Sequence, residues 1–346
     1  MLDSTPEANL PLDPERGRSL LLALQQGVPL VDDPWTELAH ACDASPDLVL
    51  QQLRALETGG QLREISGVIE GSLLGFDSAL VAVTVPEERL AAVAAVTAAC
   101  PTVTHAYERR HPMNLWFTIA MPGAIGVDAA LARIEREAGL SSGACTALRR
   151  THTFKIGVRF DPESLENATR VEAGGGSTST VTVGETERAM IRALQRPLPY
   201  VERPFAALAR TTGVEEAALL AFGQRHLGGL LRRYVATLRH RKLGVRGNGM
   251  VVWNVPEARI DEVGALLAAA PEVSHCYARN DAPGFPYRVY SMIHARDEEA
   301  VSVITARLAA AVRPTDHAIL FSAREFKKER LRYFTPEFTA WWGGVR

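Results

Sequence analysis

Along the first half of the chain the apolar positions change period twice. Over Asp13–Ala23 they recur at helical spacing, with Asp13-Pro14 as cap and first-turn proline. Pro34–Ala41 reads as a second short helix capped by Asp33. Ser45-Pro46 opens a third helix that runs to about Glu57 and stops at Gly59-Gly60. From Leu62 to Glu70 the period shortens to two, as in a strand. Three short helices and a β wing make a winged helix-turn-helix. A strand over Leu80–Val85 follows, then an alanine-rich helix over Glu87–Ala99 opened by Pro86. Strands over Val103–Tyr107 and Leu115–Ala120, a helix over Val127–Ala138 and a strand over Thr146–Lys155 complete the set. The order β-α-β-β-α-β is that of the ferredoxin-like plait.

The pattern then repeats. Leu24-Gln25 matches Leu194-Gln195, and Pro29, Val31 and Pro34 match Pro199, Val201 and Pro204, each pair 170 residues apart. Val85–Arg110 laid on Val255–Asn280 without a gap gives 13 identities over 26 positions. The chain is therefore two fused copies of one α+β unit, an internal duplication in which each half is a winged helix-turn-helix followed by a ferredoxin-like βαββαβ domain. In the second copy the spacing predicts helices over Thr186–Gln195, Pro204–Thr211 and Val214–Phe222. A wing near Leu230–Leu243 and a plait from Gly249 to about Phe326 follow. The expected domains are 1–72 and 184–245 for the winged helices, 73–170 and 246–328 for the plaits, a linker at 171–183, and a tail at 329–346. The linker is rich in Gly, Ser and Thr. The tail is basic and then aromatic, and is expected to dock on another surface.

Composition narrows the function classes. With 47% apolar and 23% charged residues and a net charge of −2, the 346-residue chain reads as a soluble globular protein. It has no global electrostatic attraction to nucleic acid or anionic membrane. No apolar run reaches the length of a transmembrane helix, and Met1–Pro14 lacks the features of a signal peptide. The four cysteines show no C-x-x-C spacing and suit a reducing compartment, so a cytoplasmic location is expected. The third helices suit DNA poorly. Ser45–Glu57 carries Asp47, Arg54 and Glu57, and its counterpart begins Glu215-Glu216 with no cation before Arg225.

Positive charge gathers elsewhere. The second wing holds Arg232, Arg233, Arg239, His240, Arg241 and Lys242 within eleven residues, and Arg63 aligns with Arg233 in the first. The corner between two plait strands, Glu108–Asn114, adds Arg109, Arg110 and His111; Arg279 stands at the equivalent place in the second copy. Such clustering fits a small polyanion, because the arginine fork donates paired hydrogen bonds to carboxylate. His105 and His275 alternate with core-facing residues, so they suit a satisfied core position as well as a functional one.

The two-module order resembles the Lrp/AsnC regulators. At Tyr107–Phe117, Leu231–Tyr234, Leu238–Lys242, Asn248–Trp253, Val273–Tyr277 and Pro286-Tyr287 the chain resembles, more narrowly, the siroheme decarboxylases derived from that fold. The resemblance spans nearly the whole chain, the first half like the D/A-type subunit and the second like the L/B type. It implies loss of carbon dioxide from two acetate arms of siroheme, giving didecarboxysiroheme on the route to d-type haem or in the alternative haem pathway. It implies no cofactor, since the iron belongs to the substrate. It also implies siroheme and its products as ligands, no DNA or membrane partner, and room for further decarboxylase subunits or a homo-oligomer. Anchoring of the carboxylates is then expected from Arg63, Arg109, Arg110, Arg232, Arg233, Arg241 and Lys242. His111 and His240 would deliver the proton or ligate the substrate iron. Tyr107, Trp116, Tyr234 and Trp253 would line the ring faces, with His275 and Tyr277 also against substrate.

The competing classes are a DNA-binding regulator that senses a tetrapyrrole and a tetrapyrrole carrier without chemistry. The acidic third helices speak against the first. At about 150 mM salt, binding to DNA is expected to be no tighter than roughly 10⁻⁴ M. A sequence-specific complex in a mobility-shift assay at nanomolar protein would contradict this.

Overall fold

The computed structural model describes residues 10–156, 180–238 and 247–343. In the first copy α1 (Pro14–Gln26), α2 (Pro34–Ala41) and α3 (Pro46–Thr58) precede β1 (Leu62–Ile69). Then come β2 (Phe76–Val83), α4 (Glu87–Ala99), β3 (Val103–Arg109), β4 (Leu115–Pro122), α5 (Val127–Glu137) and β5 (Thr146–Ile156). The second copy repeats the order. Its first module holds α6 (Glu185–Leu194), α7 (Pro204–Thr212), α8 (Glu216–His226) and β6 (Leu231–Leu238). Its second holds β7 (Gly247–Asn254), α9 (Ile260–Ala269), β8 (Val273–Arg279), β9 (Val289–Ala295), α10 (Glu298–Val312) and β10 (Asp316–Lys328). A last helix, α11 (Pro336–Gly343), lies in the tail. The first three helices begin where the local chemistry directs: Asp13, Asp33 and Ser45 each accept backbone N–H bonds from the first turn, and each precedes a proline.

Compact units form by module type rather than by copy. One unit takes the winged helices of both copies, from the described residues up to 70 and from 182–238; the other takes both plaits and the tail. In the winged-helix unit each copy contributes a single wing strand, and the two strands pair with each other, antiparallel from Leu62 opposite Leu238 to Ile69 opposite Leu231. A lone strand would leave its backbone donors and acceptors unmet, and the other copy's strand supplies the matching row. The reciprocity continues beyond the wing. Val28 N–H donates to the Tyr234 carbonyl and Leu198 N–H to the Ile65 carbonyl, both at 2.8 Å. Arg54, the single cation of α3, donates to the Tyr200 carbonyl at 2.7 Å.

The plait unit is one closed barrel of eight strands in the order β10-β3-β4-β2-β5-β8-β9-β7. It closes because the last strand of each plait crosses to the other. β5 pairs β2 through Thr146–Arg149 and then β8 through Arg150–Ile156. β10 pairs β7 through Asp316–Phe321 and then β3 through Ser322–Lys328. Buried cations fasten each crossing. Arg109 donates to the Leu320 carbonyl at 2.6 Å, and Arg279 to the Leu148 carbonyl at 2.9 Å. Further along the same strands, Lys155 reaches the Ala270 carbonyl at 2.8 Å, and Lys327 reaches those of Ala98 and Cys100 at 2.8 and 3.0 Å. Each lysine thus satisfies carbonyls at the C-terminal end of a helix belonging to the other copy, where orphaned acceptors and the helix dipole favour a cation.

Alternation along the strands sorts the side chains into three cores. Val81, Val83, Phe117 and Ile119 face α4 and α5; Val251 and Trp253 face α9 and α10; Leu80, Ala82, Trp116, Met250, Val252 and Leu320 face the barrel interior. The aromatic tail docks on the first plait, where Phe338, Trp341 and Trp342 pack over its helix-side core and the Arg133 guanidinium lies 4.1 Å from the Trp341 ring centre. On the way Tyr333 packs so closely that a Cβ on Gly71 would meet its hydroxyl, which explains the glycine.

The Arg109 crossing bond gives a stability prediction. Arg109→Ala removes a buried guanidinium and leaves the Leu320 carbonyl without its donor, so it is expected to cost about 2–3 kcal/mol. Chemical denaturation measures this, and a loss below about 0.5 kcal/mol would show that the crossing does not depend on the arginine.

Candidate functional site

The corner between β3 and β4 is rigid by construction. Arg109 N–H donates to the Asn114 carbonyl at 2.8 Å, and His111 N–H to the Arg109 carbonyl at 2.9 Å. The Asn114 amide bonds both the N–H and the carbonyl of Val85, at 2.9 and 2.8 Å, as a further backbone strand would. Trp116 Nε1 donates to the Met113 carbonyl at 2.5 Å. His111 projects from this frame with its Nδ1 accepting the Met113 N–H at 3.1 Å. Its ring stands edge-on to Phe285 at 5.6 Å and to Trp116 at 6.5 Å.

Two consequences follow for the imidazole. Burial against the aromatic pair lowers its pKa below the ordinary 6.5, so the ring is neutral at pH 7. Because Nδ1 accepts a hydrogen bond, the neutral ring carries its proton on Nε2, the nitrogen left to meet a ligand. The sequence alone places His111 at an exposed corner with no packing role. The structure instead half-buries it against an aromatic side chain from the second copy.

The other expected site residues divide by unit. In the plait unit, Arg109 is buried, bonded to the Leu320 carbonyl and, at 3.3 Å, to Ser322 Oγ; burial pushes its pKa down to about 10. Its Nη1 thus fastens the crossing strand, a role that stands beside the carboxylate anchoring expected of it. Arg110 is exposed and pairs with Glu298 at 2.8 Å. The expectation for Trp253 is corrected. It lies on the helix-facing side of β7, fully buried, its Nε1 bonded to Ser291 Oγ at 2.9 Å, so it cannot line a ring face in the barrel. His275 and Tyr277 lie on β8, half-buried, with His275 Nδ1 3.0 Å from Ser274 Oγ. His105 and Thr104 repeat that pairing on β3 at 2.9 Å.

In the winged-helix unit, Arg63 sits at a bulge of β1, and Arg232 and Arg233 lie on β6. Arg232 bonds Glu70 at 3.3 Å. Tyr234 is corrected: it is 1% exposed and packs on Phe205 at 5.4 Å, inside the core of that unit. Its alternation with Arg233 places it on the inward face of the strand. His240, Arg241 and Lys242 lie outside the described residues, as do residues 171–179 of the expected linker.

Sequence reasoning missed the residues that the second copy contributes near His111. The hairpin Asn280–Arg288 closes with mutual backbone bonds between Ala282 and Phe285, and Gly284 takes a left-handed φ of 75°. Its base is held by an Arg288–Asp281 pair at 2.7 Å. Beyond Phe285, Tyr287 packs on that ring at 4.8 Å and donates to Asp316 at 2.7 Å; burial and the carboxylate push its pKa up to about 12. Behind them the Tyr290 hydroxyl is buried with no hydrogen-bond partner among the described residues. The available signal was the Ala-Pro-Gly-Phe-Pro-Tyr run at 282–287, a turn that presents an aromatic at its tip.

Comparison with known proteins fits this arrangement. The AsnC-like ligand binding domain matches residues 73–155 and 242–327, and the siroheme decarboxylase NirDL-like HTH domain matches 187–226. A siroheme decarboxylase of Hydrogenobacter thermophilus is 37% identical over 328 residues, covering 93% of this chain and 96% of its own. A siroheme decarboxylase NirH subunit of Stutzerimonas stutzeri is 41% identical over 45% of this chain and 94% of its own. The crystal structure of the siroheme decarboxylase NirDL in co-complex with an iron-uroporphyrin III analogue superposes with a TM-score of 0.72 at 31% identity, covering 95% of this chain and 97% of that one. With the duplicated plaits, the winged helices and relatives of this identity over almost its full length, the chain belongs to the siroheme decarboxylase family.

Proposed function

We propose that this chain removes carbon dioxide from two acetate side chains of siroheme and releases didecarboxysiroheme. The observation that carries the residue-level reading is His111, a neutral imidazole on a pinned corner whose Nδ1 accepts from Met113 and so leaves the proton on Nε2. Family membership supplies the substrate class, and a relative of this chain has been crystallised with an iron-porphyrin analogue.

The reaction asks little covalent work of the protein. The bond between the acetate methylene and its carboxylate breaks, and its electron pair stays on carbon, delocalised into the macrocycle. Carbon dioxide leaves, and a proton added to that carbon gives a methyl group. The protein must hold the other carboxylates, turn the reacting one out of the ring plane and away from water, and deliver the proton. Cations for holding near His111 are Arg109 and Arg110 on the same corner, the first also fastening the barrel. Proton delivery suits His111. An iron ligand needs a bare Nε2 and therefore a proton on Nδ1. That proton would point at the Met113 N–H, two donors facing each other. An imidazolium meets the same clash, so the resting ring offers Nε2–H as a hydrogen-bond donor and delivers a proton only after taking one up and releasing the Met113 contact. No cofactor enters, since the iron arrives with the substrate. Four buried, unpaired cysteines accord with a reducing cytoplasm.

The decisive measurement is anaerobic incubation with siroheme followed by mass spectrometry. Loss of two carbon dioxides per macrocycle is expected, and binding without mass loss would reduce the protein to a carrier. His111→Ala should slow turnover about 10²- to 10⁴-fold while siroheme still binds with an unshifted Soret band. An unchanged rate would remove His111 from the chemistry, and a shifted Soret band would restore the ligand role. Protohaem, with fewer carboxylates, should bind much more weakly, since each desolvated arginine–carboxylate bond contributes about 1.5–3 kcal/mol. Equal affinity for the two in spectral titration would refute this account of substrate recognition.

A further inference from the structure

The first half carries His111, and an aromatic ring from the second half packs against both it and Trp116. That contact comes from Phe285 at the tip of the Asn280–Arg288 hairpin, in the second half. Phe285 is 1% exposed, and its ring stands at 89° to the His111 ring and at 58° to that of Trp116, with centres 5.6 and 5.4 Å away. The hairpin is stiff enough to set this contact. Ala282 and Phe285 exchange backbone bonds at 2.9 and 3.2 Å, and Asn280 exchanges bonds with the Arg149 backbone on the first half's own crossing strand. Tyr287 supports the Phe285 ring from its other side and is itself tied to Asp316.

We propose that Phe285 is the positioning residue of His111, so that the proton-delivering group of one half is oriented by the other. The inference rests on the reading that His111 donates the proton. Two restraints act on the imidazole. The Met113 N–H fixes which nitrogen holds the proton, and the Phe285 ring fixes the plane in which that nitrogen points. Phe285 also excludes water from one edge of the imidazole, so Nε2–H meets substrate rather than solvent. Both restraints are needed, because a single hydrogen bond to Nδ1 lets the ring swing about it. The site is therefore composite. A first half alone would keep the histidine and its Met113 contact but lose the surface that sets its direction. This gives a physical reason for both halves to be present together, fused as here.

The test uses the full chain. Selective 15N labelling of histidine, with the His111 signal identified by its loss in His111→Gln, reports the tautomer of the ring without substrate. Phe285→Leu keeps the apolar bulk and removes the ring edge. It is expected to shift and broaden the His111 ring 15N signals as the ring leaves its fixed plane, and to lower kcat about tenfold with KM within about twofold. Val252→Ala, which thins the same inner core without touching His111, should lower the melting temperature and leave the ring signal in place. If it moves that signal as far as Phe285→Leu does, the effect is general loosening and the proposal fails. An unchanged His111 signal in Phe285→Leu overturns the positioning role but leaves His111 as donor. A changed signal with unchanged kcat overturns both, because the orientation of His111 would then not matter to turnover.

Discussion

Everything in the plait unit depends on the exchange of β5 and β10. An open four-stranded plait would expose two edges and one apolar face; two plaits that trade their last strands close both edges and bury both faces at once. The cost is that long-range pairing must be ordered before it stabilises anything. Buried cations help to fix the result. Arg109 and Arg279 donate to strand carbonyls on the exchanged segments, and Lys155 and Lys327 close helix ends across the copies. A cation bonded to carbonyls rather than to a carboxylate keeps its charge at a desolvation cost, which appears as the lowered pKa of Arg109 and Lys155. Such groups specify one register more than they add stability.

The same closure shapes the candidate site. A barrel made from two copies brings unlike corners together, His111 and Trp116 from one and Phe285 from the other. The second copy has no histidine at the position 170 residues beyond His111; Asp281 stands there, held by Arg288. Duplication supplied two corners, and divergence left a histidine on one and an aspartate paired with an arginine on the other. The cation count needs the same care. An arginine close to a candidate histidine in sequence is not automatically a ligand for an anion. Arg109 donates to the Leu320 carbonyl and Arg110 pairs with Glu298, so each brings a contact of the fold to any anion it meets.

How much of this was readable beforehand depends on the range of the interaction. Helix caps, strand periods and the 170-residue repeat are local or self-similar features, and each of the three caps in the first copy forms where Asp13, Asp33 and Ser45 announce it. The plait order and the pair of winged helices follow from them. A strand's alternation also separates its two faces, but it does not say which face meets helices and which meets the other sheet. Trp116 and Trp253 look alike in sequence, each on an apolar strand, yet one faces the barrel interior and the other the helices. Tyr234 was misplaced for the same reason.

The sequence by itself determined the duplication, the module types and the acidic third helices, and it singled out the corner at His111 as a candidate. Tertiary structure decided what crosses between the copies. The exchange did leave a trace, since Phe154-Lys155 and Phe326-Lys327 recur at a spacing of 172 rather than 170. That offset has meaning only once both strands are seen to cross. Tertiary structure likewise decided that His111 is half-buried and neutral, that Phe285 of the other copy packs edge-on to it, and that the aromatic tail covers the first plait. These are contacts between residues far apart in the chain, and no local period or spacing encodes which distant surface a side chain will meet.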